Sequence, residues 1–167
     1  MNIIVATCLN DGIGYKNSLP WNFRSDLKYF AKLTKGQGNN AIVMGKNTWN
    51  SLPFHPLPKR ENLILSTILN KENNKNSFKN IKDLKEYINN SNYDDVWIIG
   101  GSNIYKQFIN DKDVHKIYIT KIMKEYECDT FFPKFSDDYK LIETTTQVEN
   151  DVTLEFKIYE RIKYMKE

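Results

Sequence analysis

The run Leu19-Pro20-Trp21-Asn22-Phe23-Arg24-Ser25-Asp26-Leu27 places one carboxylate, Asp26, at the start of a helix and crowds it with aromatic residues. A lone acid in an apolar setting is costly unless a cation or hydrogen-bond donors meet it, which makes Asp26 a candidate ligand anchor. Helical positions 26, 30 and 33 share a face, so Asp26 stands in line with Phe30 and Leu33. A carboxylate beside a ring suits a flat, basic heterocycle. The acid accepts two hydrogen bonds from an amidine-like edge while the ring packs on the heterocycle's plane. An acid in a first turn also complements the helix dipole, and the helix alone leaves both readings open.

Two strand-to-helix turns are candidates for phosphate. Met44-Gly45-Lys46-Asn47-Thr48 follows an apolar run and opens a helical turn, and Ile99-Gly100-Gly101-Ser102-Asn103-Ile104-Tyr105 does the same further on. Free N–H groups at a helix start attract anions, Lys46 adds a charge, and paired glycines allow close approach to the backbone. Ser102 could equally serve only as a helix N-cap. Neither turn has the G-x-G-x-x-G spacing. Two such turns in one small α/β chain point to a pyrophosphate-containing cofactor at the carboxyl ends of the strands. Leu65-Ser66-Thr67 ends another apolar run with two hydroxyls, which could bond a phosphate ester or merely start a loop. Arg60 follows Pro56-Leu57-Pro58-Lys59, and a guanidinium beside proline-stiffened backbone makes a bidentate carboxylate clamp or an ordinary surface arginine. His55 and His115 lack partners at zinc or triad spacing, and Cys8 and Cys128 lie far apart with no CxxC pattern. Neither a disulfide nor a metal site is expected, and a reducing compartment fits.

The elements that must position these residues alternate along the chain. Apolar runs at residues 3–9, 41–44, 62–65, 95–99 and 116–120 read as strands, the first buried on both faces. Helices are expected from Ser25, as N-cap, to about Lys35 with Gly36 and Gly38 beyond it, then at residues 46–52, ended by Pro53, and at 81–89 and 104–109. Residues 139–148 and 152–162 alternate more, around Asn150-Asp151, as in a terminal β-hairpin. The expected fold is α/β: a single, mostly parallel central sheet of about eight strands, flanked by helices, with a C-terminal antiparallel hairpin at its edge.

A chain of 167 residues, 40% apolar and 27% charged, favours one globular domain over residues 1–167. No apolar run is long enough to span a membrane, and the N-terminus reads as a strand rather than a signal peptide. A net charge of +3 with scattered lysines does not imply nucleic acid, and suits a small anionic ligand. The Asn- and Lys-rich residues 70–76 read as a solvated surface loop.

Together these segments resemble dihydrofolate reductase along nearly the whole chain. The resemblance rests on Gly14 to Asp26 with its Leu-Pro-Trp-Asn, on Val43-Met44-Gly45-Lys46-Asn47-Thr48-Trp49-Asn50-Ser51-Leu52, and on Pro56-Leu57-Pro58-Lys59-Arg60-Glu61-Asn62. Ile99-Gly100-Gly101-Ser102-Asn103-Ile104-Tyr105 and Asp129-Thr130-Phe131-Phe132-Pro133 complete it in matching order. It implies NADPH-dependent reduction of dihydrofolate to tetrahydrofolate, with hydride to C6 and a proton to N5. Asp26, Trp21 and Thr120 would be catalytic, with Asp26 on the pteridine's 2-amino and N3 edge and Thr120 supporting that network. Ile4, Val5, Ala6, Leu27 and Phe30, with Leu52, Leu57 and Ile99, would line the substrate pocket, and Arg60 would hold the glutamate tail's α-carboxylate.

The resemblance also implies a cofactor path. Ala6, Ile13, Leu19, Gly45 and Thr48 would lie along NADPH, as would Leu65 and the run Gly100, Gly101, Ser102, Asn103, Ile104 and Tyr105. Lys46, Ser66 and Thr67 would meet its 2′-phosphate region. The Gly100–Gly101 bond would be cis, and the loop over residues 10–22 would close on the nicotinamide and exclude water. Lys46 stands where many members have arginine, and Asn47 and Asn103 replace cations found in some. Antifolate inhibitors are implied partners, the chain is expected to act as a cytoplasmic monomer without nucleic acid, membrane or metal, and it looks free-standing or excised from a thymidylate synthase fusion. Two other readings keep the fold: a pyrimidine reductase of riboflavin synthesis, and a non-catalytic nucleotide- or folate-binding relative. Trp21, Asp26, Phe30 and Arg60 argue against the first, and the intact Asp26, Gly100-Gly101 and Arg60 against the second.

Overall fold

The computed structural model describes residues 1–67 and 76–164. Of the expected surface loop at 70–76, all but Asn76 lies outside them. The chain runs β1 (Asn2–Thr7), β2 (Gly12–Gly14), α1 (Arg24–Lys35), β3 (Ala41–Gly45), α2 (Lys46–Ser51), β4 (Glu61–Leu65) and β5 (Ser77–Phe78). It continues with α3 (Ile81–Asn89), β6 (Val96–Gly100), α4 (Ser102–Phe108), β7 (Lys116–Ile122), β8 (Thr130–Phe131), β9 (Tyr139–Glu149) and β10 (Val152–Arg161), then a 3₁₀ turn, Ile162–Tyr164. An eight-stranded sheet forms in the order β5-β4-β3-β6-β1-β7-β10-β9, and β2 pairs with β8 separately. From β5 to β7 neighbours are parallel, while β10 runs antiparallel to β7 and β9 antiparallel to β10.

Alternate residues of the central strands feed opposite faces, because side chains of a strand have period two. Ile3, Val5, Val43, Leu63, Ile98, Ile117 and Ile119 meet α3 and α4 through Leu84, Ile104, Tyr105 and Phe108. Ile4, Ile42, Met44, Ile64 and Trp97 face the other way, against Phe30 and Leu33 of α1 and Trp49 of α2. A third cluster, Cys8, Trp21, Phe23, Ile122, Leu154 and Phe156, ties the loop after β1 to the terminal hairpin.

β1 and β6 are neighbours, yet the chain leaves them in opposite directions. From β1 it crosses by α1 to β3, and from β6 by α4 to β7 on the other side. Parallel strands whose connections diverge leave a crevice at their carboxyl ends, where ligands of such sheets collect. Ala6 and Thr7 end β1, Ile99 and Gly100 end β6, and Gly45 ends the adjacent β3.

The expected architecture is observed, with local differences. Residues 8–9 lie outside β1, since the Cys8 N–H already turns back to the Gly12 carbonyl at 3.0 Å. Strands β2, β5 and β8 are too short to show a hydrophobic period. Helix α4 starts at Ser102, whose hydroxyl does not cap it. Ser25 is likewise not the cap of α1. Phe23 occupies that position with no side-chain hydrogen bond, so the helix begins at Arg24. The Asn150-Asp151 turn has φ of 51° and 63°, the paired positive values of a two-residue hairpin turn that Asn and Asp tolerate. Cys8 and Cys128, far apart in sequence, bring their Sγ atoms to 3.8 Å as free thiols.

Phe108 is fully buried where α4 meets the sheet. Phe108→Ala is expected to cost about 3–5 kcal/mol, transfer and cavity terms together, read as a lower midpoint in urea unfolding.

Candidate active site

The loop after β1 delivers α1 to the carboxyl end of the sheet. Trp21 and Phe23 are buried there, with the Trp21 ring centroid 5.3 Å from that of Tyr126. The Trp21 Nε1–H is shut away from water and has no partner among the described protein atoms. Helix α1 then sets Asp26 over the end of β7. Thr120, 2% exposed as a residue, sets its hydroxyl beside the Asp26 carboxyl, where it lowers the pKa of that group. Thr120 pairs in register with Ala6 of β1 and Phe156 of β10, so it is held from both sides.

Asp26 is half-buried as a residue, but its carboxyl is strongly desolvated. Burial pushes its pKa up to about 6. The Thr120 hydrogen bond pulls the other way, and the charge of Glu149 adds to the rise. A carboxyl poised near neutrality at a cleft is a functional-site signature with a physical cause.

On the same face, Ile4, Phe30, Leu52, Leu57 and Ile99 assemble into one apolar wall. Other predicted substrate residues are arranged differently. The Val5 side chain belongs to the opposite face of the sheet and Ala6 to the third cluster, while Leu27 is 52% exposed on the helix. Arg60 lies at the far end of the wall. Its Nη1 donates to the Thr34 hydroxyl at 3.0 Å and its Nε to the Pro58 carbonyl at 2.8 Å, while Thr34 itself donates to the Phe30 carbonyl. No carboxylate pairs with Arg60 among the described residues, and burial lowers its pKa. A partly desolvated guanidinium already oriented by neutral groups is fitted to take an anion.

The two glycine turns stand side by side. A Cβ on Gly45 would come within 3.0 Å of Ile104, and one on Gly101 within 3.4 Å of the Thr48 hydroxyl. Gly100 has φ +116°, and its peptide bond to Gly101 is cis. This φ excludes a side chain, and the Tyr105 ring fills the space one would need, 3.0–3.1 Å away. Tyr105 is itself buried, its hydroxyl donating to the Ile4 carbonyl at 2.8 Å, and so locks α4 to β1. Ile104 and Leu65 are buried too, whereas Lys46 and Thr48 are half-buried and Asn103 is exposed. Lys46 has no acidic partner among the described residues. Ser66 is half-buried and Thr67 exposed at the end of β4. Ile13 packs against the core, while Leu19 is 57% exposed in the loop.

Two acids that no local pattern singles out hold this loop and helix. The Asp129 carboxylate accepts the Lys16 N–H at 2.9 Å, and the Asp129 N–H donates to the Gly14 carbonyl at 3.0 Å. The Glu149 carboxylate accepts the N–H groups of Arg24 and Ser25, both at 2.8 Å. Glu149 lies 124 residues from Ser25, so no local spacing could reveal it. The His55 ring makes a tilted contact with Trp49 and the His115 ring with Tyr164, and no group of metal-ligating residues occurs among the described residues.

The sequence matches the family model described as "Dihydrofolate reductase" over residues 1–161. It is 36% identical to the dihydrofolate reductase of Drosophila melanogaster, covering 96% of this chain and 97% of the relative. It is 38% identical to the viral dihydrofolate reductase of Saimiriine herpesvirus 2, covering 97% and 85%, and 35% identical to the dihydrofolate reductase of Sus scrofa, covering 96% and 97%.

Because the Asp26 pKa rises on folding, from the ordinary aspartate value to about 6, the folded state favours the protonated acid. That stabilisation is full below about pH 4 and is lost as the pH climbs through 6. Ionised Asp26 therefore costs about 3 kcal/mol above pH 7. Asp26→Asn is expected to be more stable than wild type at pH 8, by up to that amount. The gap should close below pH 4 in denaturation series run at each pH.

Proposed function

The chain belongs to the dihydrofolate reductase family of nicotinamide-dependent oxidoreductases, and on that premise we propose that it reduces 7,8-dihydrofolate to 5,6,7,8-tetrahydrofolate with NADPH. The observation that carries the reading is the desolvated Asp26 carboxyl, backed by Thr120 and set beside the wall of Ile4, Phe30, Leu52 and Ile99. A pteridine presents to such a carboxylate an amino group and a ring N–H side by side, and its flat faces match the apolar wall. When bound, NADPH supplies the hydride that C6 accepts. Asp26 grips the 2-amino and N3 edge, and its charge in a low dielectric favours the substrate protonated at N5, the proton arriving through water. Trp21 and the loop over residues 10–22 exclude bulk water from that edge.

The glycine turns support the cofactor assignment. Gly45 and Gly101 bring bare backbone to the carboxyl ends of adjacent strands, where a Cβ would crowd Ile104 or Thr48. Lys46 stands beside them without an acid partner among the described residues, and Ser66 and Thr67 end the next strand. These groups would hold the pyrophosphate and the 2′-phosphate of NADPH. Arg60 takes the α-carboxylate of the glutamate tail, which also makes antifolates carrying that tail ligands of the site. The chain works as one cytoplasmic monomeric domain. No helix among the described residues is long and apolar enough to cross a membrane.

Asp26→Asn is expected to keep the fold but cut turnover at pH 7 by about two orders of magnitude, as for loss of a group acting on proton transfer. The deficit should shrink at low pH, where more substrate is already protonated. NADPH oxidation followed from pH 5 to 9 checks this, and equal rates at pH 7 would remove Asp26 from the mechanism. Arg60→Leu should weaken folate and methotrexate by about ten- to a hundred-fold, the worth of a charge-assisted pair, and a ligand lacking the glutamate tail far less. Equal losses in titrations of both ligand types would sink the clamp.

A further inference from the structure

We infer that Glu149, at the end of β9, is a positioning residue for Asp26: its carboxylate caps the first turn of α1 and so fixes where the Asp26 carboxyl sits. The inference rests on the proposed role of Asp26. The first N–H groups of a helix have no partner within it, and the cap position of α1 is Phe23, which offers no side-chain acceptor. The Glu149 carboxylate fills that place, accepting from Arg24 and Ser25 at 2.8 Å each. Negative charge suits this end of the helix, and the hydrogen bonds to Ser25 and Arg24 hold the Glu149 carboxyl below its usual range.

The mounting is shared. Glu149 pairs with Val152 across the hairpin, and Phe156, further along β10, pairs with Thr120. The Tyr29 ring of α1 lies 4.6 Å from the Phe156 ring. One antiparallel unit thus holds Asp26 by its hydroxyl partner and by the start of its helix.

The titratable groups that act on Asp26 are few. Its charge reaches Tyr29 on its own helix and Tyr105 of α4, and Glu149 stands at the helix start. Tyr118 of β7 and Glu143 of β9 act on Tyr29, and Arg24 acts on Glu149. Burial raises both Tyr29 and Tyr105, so neither ionises between pH 4 and 9. Among the described residues, Glu149 is the carboxylate whose charge raises the Asp26 pKa. Removing its charge must lower the Asp26 pKa.

The test is the carboxyl ¹³C titration of Asp26 in the ligand-free protein, its resonance assigned by loss in Asp26→Asn, alongside the pH profile of kcat/KM. Glu149→Gln keeps one acceptor and removes the charge. Its Asp26 midpoint should fall by a few tenths of a pH unit, and turnover at pH 7, relative to the low-pH plateau, by about two-fold. Glu149→Ala should show the same shift together with a lower thermal midpoint, and Glu149→Asp should restore the wild-type direction. If both Gln and Ala variants titrate as wild type and lose only thermal stability, Glu149 is a hairpin clasp and the inference falls. A kcat/KM transition that keeps its wild-type midpoint in Asp26→Asn would overturn the role of Asp26 as well, a result distinct from an unmoved Glu149→Gln midpoint.

Discussion

Everything about this molecule turns on keeping one carboxyl out of water without neutralising it. No cation pairs with Asp26 among the described residues. It has a threonine hydroxyl, a helix start and an apolar wall, and its pKa of about 6 measures the cost. A salt bridge would have lowered that value and occupied the very edge that a basic heterocycle needs. On the proposed function the protein leaves this carboxyl for a ligand to satisfy, and the fold supplies the stability that this withholds.

The sheet makes the arrangement possible. Because the connections from β1 and β6 diverge, their carboxyl ends open between helices lying on opposite faces. On the proposed function two things must fit there: a wall for a flat ring, and bare backbone for phosphates. Alternation along the strands separates these demands. Ile4 and Ile99 join the wall, while Val5 and Ile98 anchor α4, whose Tyr105 reaches back to the Ile4 carbonyl. Gly100, at φ +116° against the Tyr105 ring, leaves no room for a side chain, and a Cβ on Gly45 would press on Ile104.

The parts most distant in sequence from Asp26 govern its placement most directly. The terminal hairpin supplies Phe156 behind Thr120 and Glu149 at the helix start, and the segment before β8 supplies Asp129 to the loop over residues 10–22. Both acids act by accepting backbone N–H groups, which fix position without competing for the ligand edge. A hairpin at the edge of a parallel sheet is thereby drawn into the proposed chemistry.

Much of this was legible in one dimension. Apolar runs marked the buried parallel strands, Asn150-Asp151 marked the hairpin, and the helical face of Asp26, Phe30 and Leu33 was correctly composed, because these patterns follow from local geometry of period two or 3.6. Ser25 was misread as a cap because it has the right chemistry two residues past the cap position, which is Phe23. The true acceptor, Glu149, is brought there by the hairpin. The short strands β2, β5 and β8 carry too few residues to show a period. The nearness of Cys8 and Cys128, the locking of Tyr105 onto Ile4 and the raised pKa of Asp26 exist only once strands far apart in the chain are paired. Sequence determined which groups could act. Burial and long-range pairing, which no local spacing encodes, decided what surrounds each of them and how strongly it holds its proton.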